Sequence, residues 1–235
     1  QVELRVMAHI SRDQGLLEAF SRGEDIHATT AAAVYGVGLG DVTYAMRSIA
    51  KAVNFGLIYG MQPAGFMDYA FFTYGVKLTA PEAEDIHHKF FLKYPQLVTW
   101  HNLSKGLAHK DKQIRSPLGR IKHLPLIDSF DSQIRSKAER QSINAPVQGT
   151  LSDLSLWATS IFWKKGWLGA APVIGMVHDQ LLSYVPENNW EKYEQRNREV
   201  MENLPFKEIG WEPQLKFVVD GEIGPNLGDL KKIKK

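Results

Sequence analysis

The sequence predicts an α+β fold in which helices predominate beside a small antiparallel sheet. Three observations carry this. Segments that open on helix-capping residues recur along much of the chain. Two apolar strand-like runs, Val173–Val177 and 181–185, flank the short polar link His178-Asp179-Gln180, which is a hairpin signature. No internal repeat or low-complexity segment interrupts the pattern.

Taken in order, residues 1–10 alternate apolar with polar and then turn apolar, which predicts a strand. Residues 16–20 predict a helix ending near Gly23, and 25–34 another with Asp25 as N-cap. Gly36, Gly38 and Gly40 break it, after which Asp41 or Thr43 caps a long helix running through Tyr59. Residues 80–94 form a helix with Thr79 as cap, Pro81 in the first turn and acids following. A further helix over 95–111 opens at Pro95. Residues 114–124, containing Pro117-Leu118-Gly119, predict a hairpin or loop. A long helix starts at 131–142, is interrupted around Asn144-Ala145-Pro146 because proline cannot donate to the helix ladder, and resumes over 149–162. After the hairpin come a helix over 189–203 and a strand near 215–219. The first strand is expected to pair beside the hairpin.

Composition sets bounds. The 235 residues suffice for one large or two small domains, and 44% hydrophobic with 23% charged residues is ordinary for a globular chain. With no cysteine, disulfides and thiolate metal sites are excluded, which fits a cytosolic protein. No apolar run reaches the roughly 18 residues of a membrane span, and the first residues are not a signal peptide. A net charge of +2 does not by itself predict nucleic-acid binding; any basic groove must come from where Lys and Arg are placed. The basic run 231–235 reads as a solvated, frayed end. The chain does not begin with Met and its first residues look like the interior of an element, so a fragment, or a protein processed or split upstream, is expected.

The most informative stretch lies within the fourth helix. Arg47, Lys51, Phe55 and Tyr59 recur every four residues. Each step of four rotates the side chain by about 40°, so the four share one broad face, two cations at one end and two rings at the other. Arg and Lys suit a polyphosphate, and the rings suit a base or sugar. Asp179 in the hairpin link is placed to hold a hard divalent cation, although an Asp in a turn is also ordinary turn chemistry. A metal-dependent phosphohydrolase built on Asp179 and His178 would want further clustered ligands. His87 and His88, adjacent on a helix, point to different faces and do not supply them.

The full string Arg47-x3-Lys51-x2-Asn54-Phe55-Gly56-x2-Tyr59-Gly60 resembles the nucleotide-binding helix of family A DNA polymerases, the bacterial DNA polymerase I type. The resemblance implies that Arg47 and Lys51 act on the incoming triphosphate, that Phe55 packs on its sugar and base, and that Tyr59 lies near the templating base. His27, in Gly23-Glu24-Asp25-Ile26-His27, resembles the family's triphosphate-contacting His. Val177-His178-Asp179-Gln180-Leu181-Leu182 resembles a palm motif whose Asp binds the catalytic metals, with Gln180 where Glu is usual. His178 would meet the primer end. The opening Gln1-Val2-Glu3-Leu4-Arg5 resembles the family's first motif from its fourth position on. Gln1 and Glu3 would then lie at the nucleotide, Glu3 as the sugar gate that blocks a ribose 2′-hydroxyl. The motif's leading metal-binding Asp would precede residue 1. Arg140-x3-Asn144-Ala145-Pro146-Val147-Gln148 resembles a primer–template segment, with Arg140 on the backbone and Asn144 and Gln148 at minor-groove edges.

The resemblance extends from residue 1 to about 228. It implies a mostly helical fingers subdomain (23–130) inserted in a palm (1–22, a first strand and helix, and the return, 131–235) that carries a small antiparallel sheet. It implies template-directed polymerisation of deoxynucleoside triphosphates on primer–template DNA with two Mg2+ ions. One carboxylate ligand would come from an upstream polymerase segment, on the same or a companion chain, and the isolated chain would be inactive. A cytoplasmic, bacterial or viral replication context and no membrane partner go with it. The alternative is a non-catalytic primer–template-binding module or a subunit that needs a partner chain. Gln180 favours that alternative, whereas an intact Arg47–Tyr59 face argues against it.

Overall fold

The computed structural model describes residues 2–233. It is an α+β molecule: α1 (Val2–Ser11), α2 (Gln14–Ser21), α3 (Ile26–Tyr35), α4 (Tyr44–Leu57), α5 (Pro63–Tyr74), α6 (Ala80–Lys93), α7 (Pro95–Asp111), β1 (Gln113–Arg115), β2 (Ile121–His123), α8 (Ser132–Lys164), β3 (Val173–Val177), β4 (Gln180–Ser183), α9 (Trp190–Glu202), β5 (Glu222–Ile223) and β6 (Lys231–Lys232). The strands pair as three separate antiparallel ribbons, β1–β2, β3–β4 and β5–β6. Two compact units divide at Gln148/Gly149, within α8.

Local chemistry explains the helices of the first unit. The Asp13 carboxylate accepts from Leu16 N–H at 3.0 Å as the α2 cap, and its second oxygen accepts from Gln96 N–H at 3.1 Å, joining the start of α2 to the start of α7. Burial pushes this carboxyl up, against the pull of those amides. Asp25 caps α3, Thr43 caps α4, and Thr79 with Glu82 forms a capping box on α6. Helix α3 packs on α4 and α6, with Tyr94, Phe90 and Phe66 fully buried. Gly56 lets α5 lie close to α4: a Cβ there would sit 3.2 Å from the Phe66 ring and 3.3 Å from the Tyr69 ring.

Four expectations are corrected. Residues 2–11 form a helix, so no first strand pairs beside the hairpin. Val2-Glu3-Leu4-Arg5-Val6 alternates, but Leu4, Met7 and Ala8 fit the i, i+3, i+4 spacing equally, and Glu, Leu, Arg, Met and Ala favour helix. Helix α8 runs unbroken through Pro146. Proline leaves the carbonyl four residues back without its donor. That carbonyl, of Ser142, instead accepts the Ser104 hydroxyl at 2.6 Å, with both serines fully buried. Helix α5 is an element that no sequence expectation covered. Finally, 215–219 is not a strand. Val219 N–H donates to Glu202 Oε1 at 2.9 Å and its carbonyl accepts from Arg198, so side chains of α9 take the bonds a neighbouring strand would have made. Lys231 and Lys232, read as a frayed end, pair with Ile223 and Glu222.

The second unit is held by aromatic contacts. Phe206 packs edge-on against Trp157 and Trp211, at centroid distances of 5.7 and 5.4 Å, and tilts against Phe217. The Arg196 guanidinium lies over the rings of Trp167 and Tyr193.

Candidate nucleotide site

The stripe on α4 forms because its opposite face is the packed one. Ala50, Ala52, Val53, Asn54 and Leu57 are buried, while Lys51 is exposed and Arg47, Phe55 and Tyr59 are half-buried. The N-terminal end of α3 lies against this stripe. Arg47 Nε donates to Asp25 Oδ2 at 2.6 Å, and the other Asp25 oxygen accepts from the backbone N–H groups of His27 and Ala28. Partial burial works against ionisation of Asp25, but the Arg47 hydrogen bond and the two amides outweigh it and hold the carboxyl below its ordinary range.

His27 meets Phe55, its ring tilted 41° to the phenyl at a centroid distance of 5.9 Å. Burial pushes the imidazole down to about 4. The Asp25 carboxylate opposes this, and the positive charges of Arg47 and Lys51 reinforce it. His27, Arg47, Lys51 and Phe55 are thus brought together from two helices. At the far end of the stripe the Tyr59 hydroxyl donates to Glu3 Oε2 at 2.8 Å, and Gln148 Nε2 donates to Glu3 Oε1 at 2.9 Å. Burial and the adjoining Glu3 charge push the Tyr59 phenol up, so it stays a neutral donor. Tyr59 follows α4, where the Ile58 carbonyl accepts from the His101 Nε2–H at 2.9 Å. Gly60, next in line, turns at φ 78°, and a Cβ there would press on Ile143 at 3.0 Å.

Among the residues expected at primer–template, Arg140 is exposed on α8 and Gln148 is committed to Glu3. Asn144 Oδ1 is buried without a hydrogen-bond partner. Gln1 lies outside the described residues. In the second unit β3 and β4 pair with Val177 opposite Gln180, so the turn is His178-Asp179 alone and Gln180 opens β4. His178 takes a positive φ of 55°, and His178, Asp179 and Gln180 are all exposed.

Sequence reasoning assigned no role at this site to Asp25 beyond its cap, nor any to Asn54, Thr30 or Tyr94. Asn54 Nδ2 lies 2.9 Å from His27 Nδ1; Asn54 Oδ1 and the Tyr94 hydroxyl each lie 2.9 Å from Thr30 Oγ1. The only signal for Asn54 was its place inside the quoted string. The others are separated by 22 to 64 positions and carry none.

Two Mg2+ ions do not fit the residues present on their own. No group of three or more His, Cys, Asp or Glu among the described residues is placed to hold a metal, and the neighbour of Asp179 is the neutral Gln180. Two close divalent cations need bridging carboxylates. No helix of the described residues is long and apolar enough to cross a membrane.

Comparison with known proteins agrees with the family resemblance. Residues 1–229 match the model of DNA polymerase family A. The chain is 34% identical over 229 residues to DNA polymerase I of Pseudomonas aeruginosa, covering 96% of this chain and 24% of that protein. It is 34% identical over 234 residues to DNA polymerase I of Geobacillus stearothermophilus, covering 98% and 25%. A solved structure, the POL domain of Pol1 from M. smegmatis in complex with DNA primer-template and dNTP, superposes with a TM-score of 0.78. It shares 32% sequence identity, over 92% of this chain and 36% of that one. The chain therefore spans about a quarter of the length of these curated relatives. By this match over nearly its whole length, the chain belongs to DNA polymerase family A.

Proposed function

We propose that these residues form the fingers (23–130) and much of the palm (1–22 and 131–235) of a polymerase that adds deoxynucleotides to a primer under the direction of a template. The observation that carries this is the meeting of His27, Arg47, Lys51 and Phe55 at one surface of α3 and α4, with Tyr59 tied to Glu3 at its end. In this reading Arg47 and Lys51 grip the triphosphate as fork and point charge, and His27 adds a hydrogen bond. Phe55 packs on the sugar and base. Tyr59 and Gln148 fix the Glu3 carboxylate as a rigid wall against a ribose 2′-hydroxyl, and Tyr59 borders the templating base. Arg140, Asn144 and His178 contact primer–template. In the family, magnesium supplies the phosphoryl-transfer chemistry, and Asp179 would contribute one ligand.

A second reading, a primer–template-binding module without chemistry, is favoured by one observation, the absence of a carboxylate cluster among the described residues. Primer extension separates the two. Residues 1–235 alone, with Mg2+, all four deoxynucleotides and a labelled primer, are expected to give no extension. Joined to, or mixed with, a polymerase segment bearing the first-motif Asp, they are expected to extend, and Asp179→Ala should abolish it. No extension in any combination would favour the binding module. Asp179-independent extension would overturn the placement of the metal ligand.

A further inference from the structure

Asn54 is buried beneath the α4 stripe, its face turned from solvent and 1% exposed. A buried amide must spend its donors and acceptor within the protein. Here its oxygen lies 2.9 Å from Thr30 Oγ1 and its nitrogen 2.9 Å from His27 Nδ1. Thr30 Oγ1 also reaches the Ile26 carbonyl at 2.8 Å, so its one hydrogen is shared between that carbonyl and Asn54 Oδ1, while the Tyr94 hydroxyl donates to it. In this arrangement the Asn54 amide presents its oxygen to the Thr30 hydroxyl and its NH2 to the imidazole. No described residue bonds His27 Nε2.

We propose that Asn54 is a positioning residue for His27: by donating to Nδ1 it holds the ring in the neutral tautomer that carries its hydrogen on Nε2, ready to donate to a phosphate oxygen. The chemistry follows from hydrogen count. A ring nitrogen that accepts a hydrogen bond cannot carry a proton, so the remaining hydrogen of a neutral imidazole sits on Nε2. Protonation of Nδ1 would set N–H against N–H and break the bond. The charged groups facing His27 act in both directions. Arg47 and Lys51 disfavour an imidazolium, while Asp25 would favour one but is spent on Arg47 and two backbone amides. Burial adds to the first side and pushes the ring down to about 4. His27 therefore differs in kind from its neighbours. Arg47 and Lys51 supply charge to the triphosphate, and His27 supplies direction without charge, so its contact does not fade as pH crosses the ordinary histidine range.

The assignment of the donor to a phosphate rests on the nucleotide reading above; the tautomer does not. Two-bond 1H–15N correlation spectra of the 15N-labelled 235-residue chain distinguish the three imidazole forms, and His27→Gln identifies the His27 signals among the eight histidines. The wild-type chain is expected to show His27 as the neutral Nε2–H tautomer from pH 5.5 to 8. Asn54→Asp, which puts an acceptor against Nδ1, should convert it to the doubly protonated form with a midpoint above the ordinary value of about 6.5. A wild-type Nδ1–H tautomer, or a wild-type midpoint near the ordinary value, overturns the proposal, and the wild-type spectrum decides this even where the variant does not fold. Adding dATP is expected to shift the Nε2 resonance. A correct tautomer with no response to dATP upholds the positioning role of Asn54 and overturns the nucleotide reading instead.

Discussion

Arg47 and Asp25 meet at 2.6 Å, so the carboxylate that starts α3 also anchors the first cation of the α4 stripe. The two contributions can be ranked. Both side chains are about two-fifths exposed, where an ion pair is worth roughly 0–1 kcal/mol. A lost N-cap costs about 0.5–2 kcal/mol. Asp25→Ala is therefore expected to cost about 1–2 kcal/mol in urea unfolding, and Asp25→Asn, which still caps, less than about half of that. Equal losses would mean that the ion pair outweighs the cap.

Ser104 stands in for the backbone donor that Pro146 lacks. Leaving a buried carbonyl unsatisfied costs about 1–3 kcal/mol. Ser104→Ala is expected to destabilise by that amount. In a Pro146→Ala background, where residue 146 regains an N–H for the Ser142 carbonyl, the same change should cost clearly less. A double-mutant cycle that shows simple additivity would rule this out.

His101 is buried against the Ile58 carbonyl, and burial pushes its ring down to about 4, reinforced by Lys105 and His87 and opposed by the Ile58 bond. Between about 4 and the ordinary value near 6.5 the unfolded chain binds the extra proton and the folded chain does not, so stability is present above that window and is lost as pH falls through it. The slope from this one histidine is about 1.4 kcal/mol per pH unit at its steepest. His101→Gln is expected to flatten the pH dependence of the urea midpoint between 6.5 and 4. An unchanged slope would show that His101 titrates elsewhere.

Much of the scaffold was legible because capping is local. Asp25, Thr43 and Thr79 each sit within three residues of the groups they satisfy, and Pro95 opens α7 at its first position. The stripe Arg47, Lys51, Phe55, Tyr59 was legible for the same reason, since four-residue spacing fixes a helix face. What stayed hidden depends on partners far along the chain. Pro146 sits in an unbroken helix because of Ser104, and Val219 stays out of a strand because of Arg198 and Glu202. Val2–Ser11 was ambiguous in itself, its first five residues fitting both periods. At the site, the bonds that orient Arg47 and His27 come from Asp25 and Asn54, across 22 and 27 positions, and no local spacing announces them.

Phe55 lies half-buried beside His27 and carries no hydroxyl. In an active polymerase assembled from these residues, a low ratio of dideoxy- to deoxynucleotide incorporation is expected, and Phe55→Tyr should raise it. An unchanged ratio would remove Phe55 from the sugar contact.

If the α4 stripe grips a triphosphate, Lys51→Ala is the sharpest change to make, because Lys51 is exposed and its removal disturbs no packing. The measurement is the affinity of the 235-residue chain for dATP and, separately, for primer–template, with and without Lys51→Ala. A hydrogen bond to a charged group contributes about 1.5–3 kcal/mol, which corresponds to a loss of roughly tenfold or more. That loss is expected for dATP, with a change within about twofold for primer–template. Equal losses for the two ligands, or an unchanged affinity for dATP, would contradict the triphosphate grip.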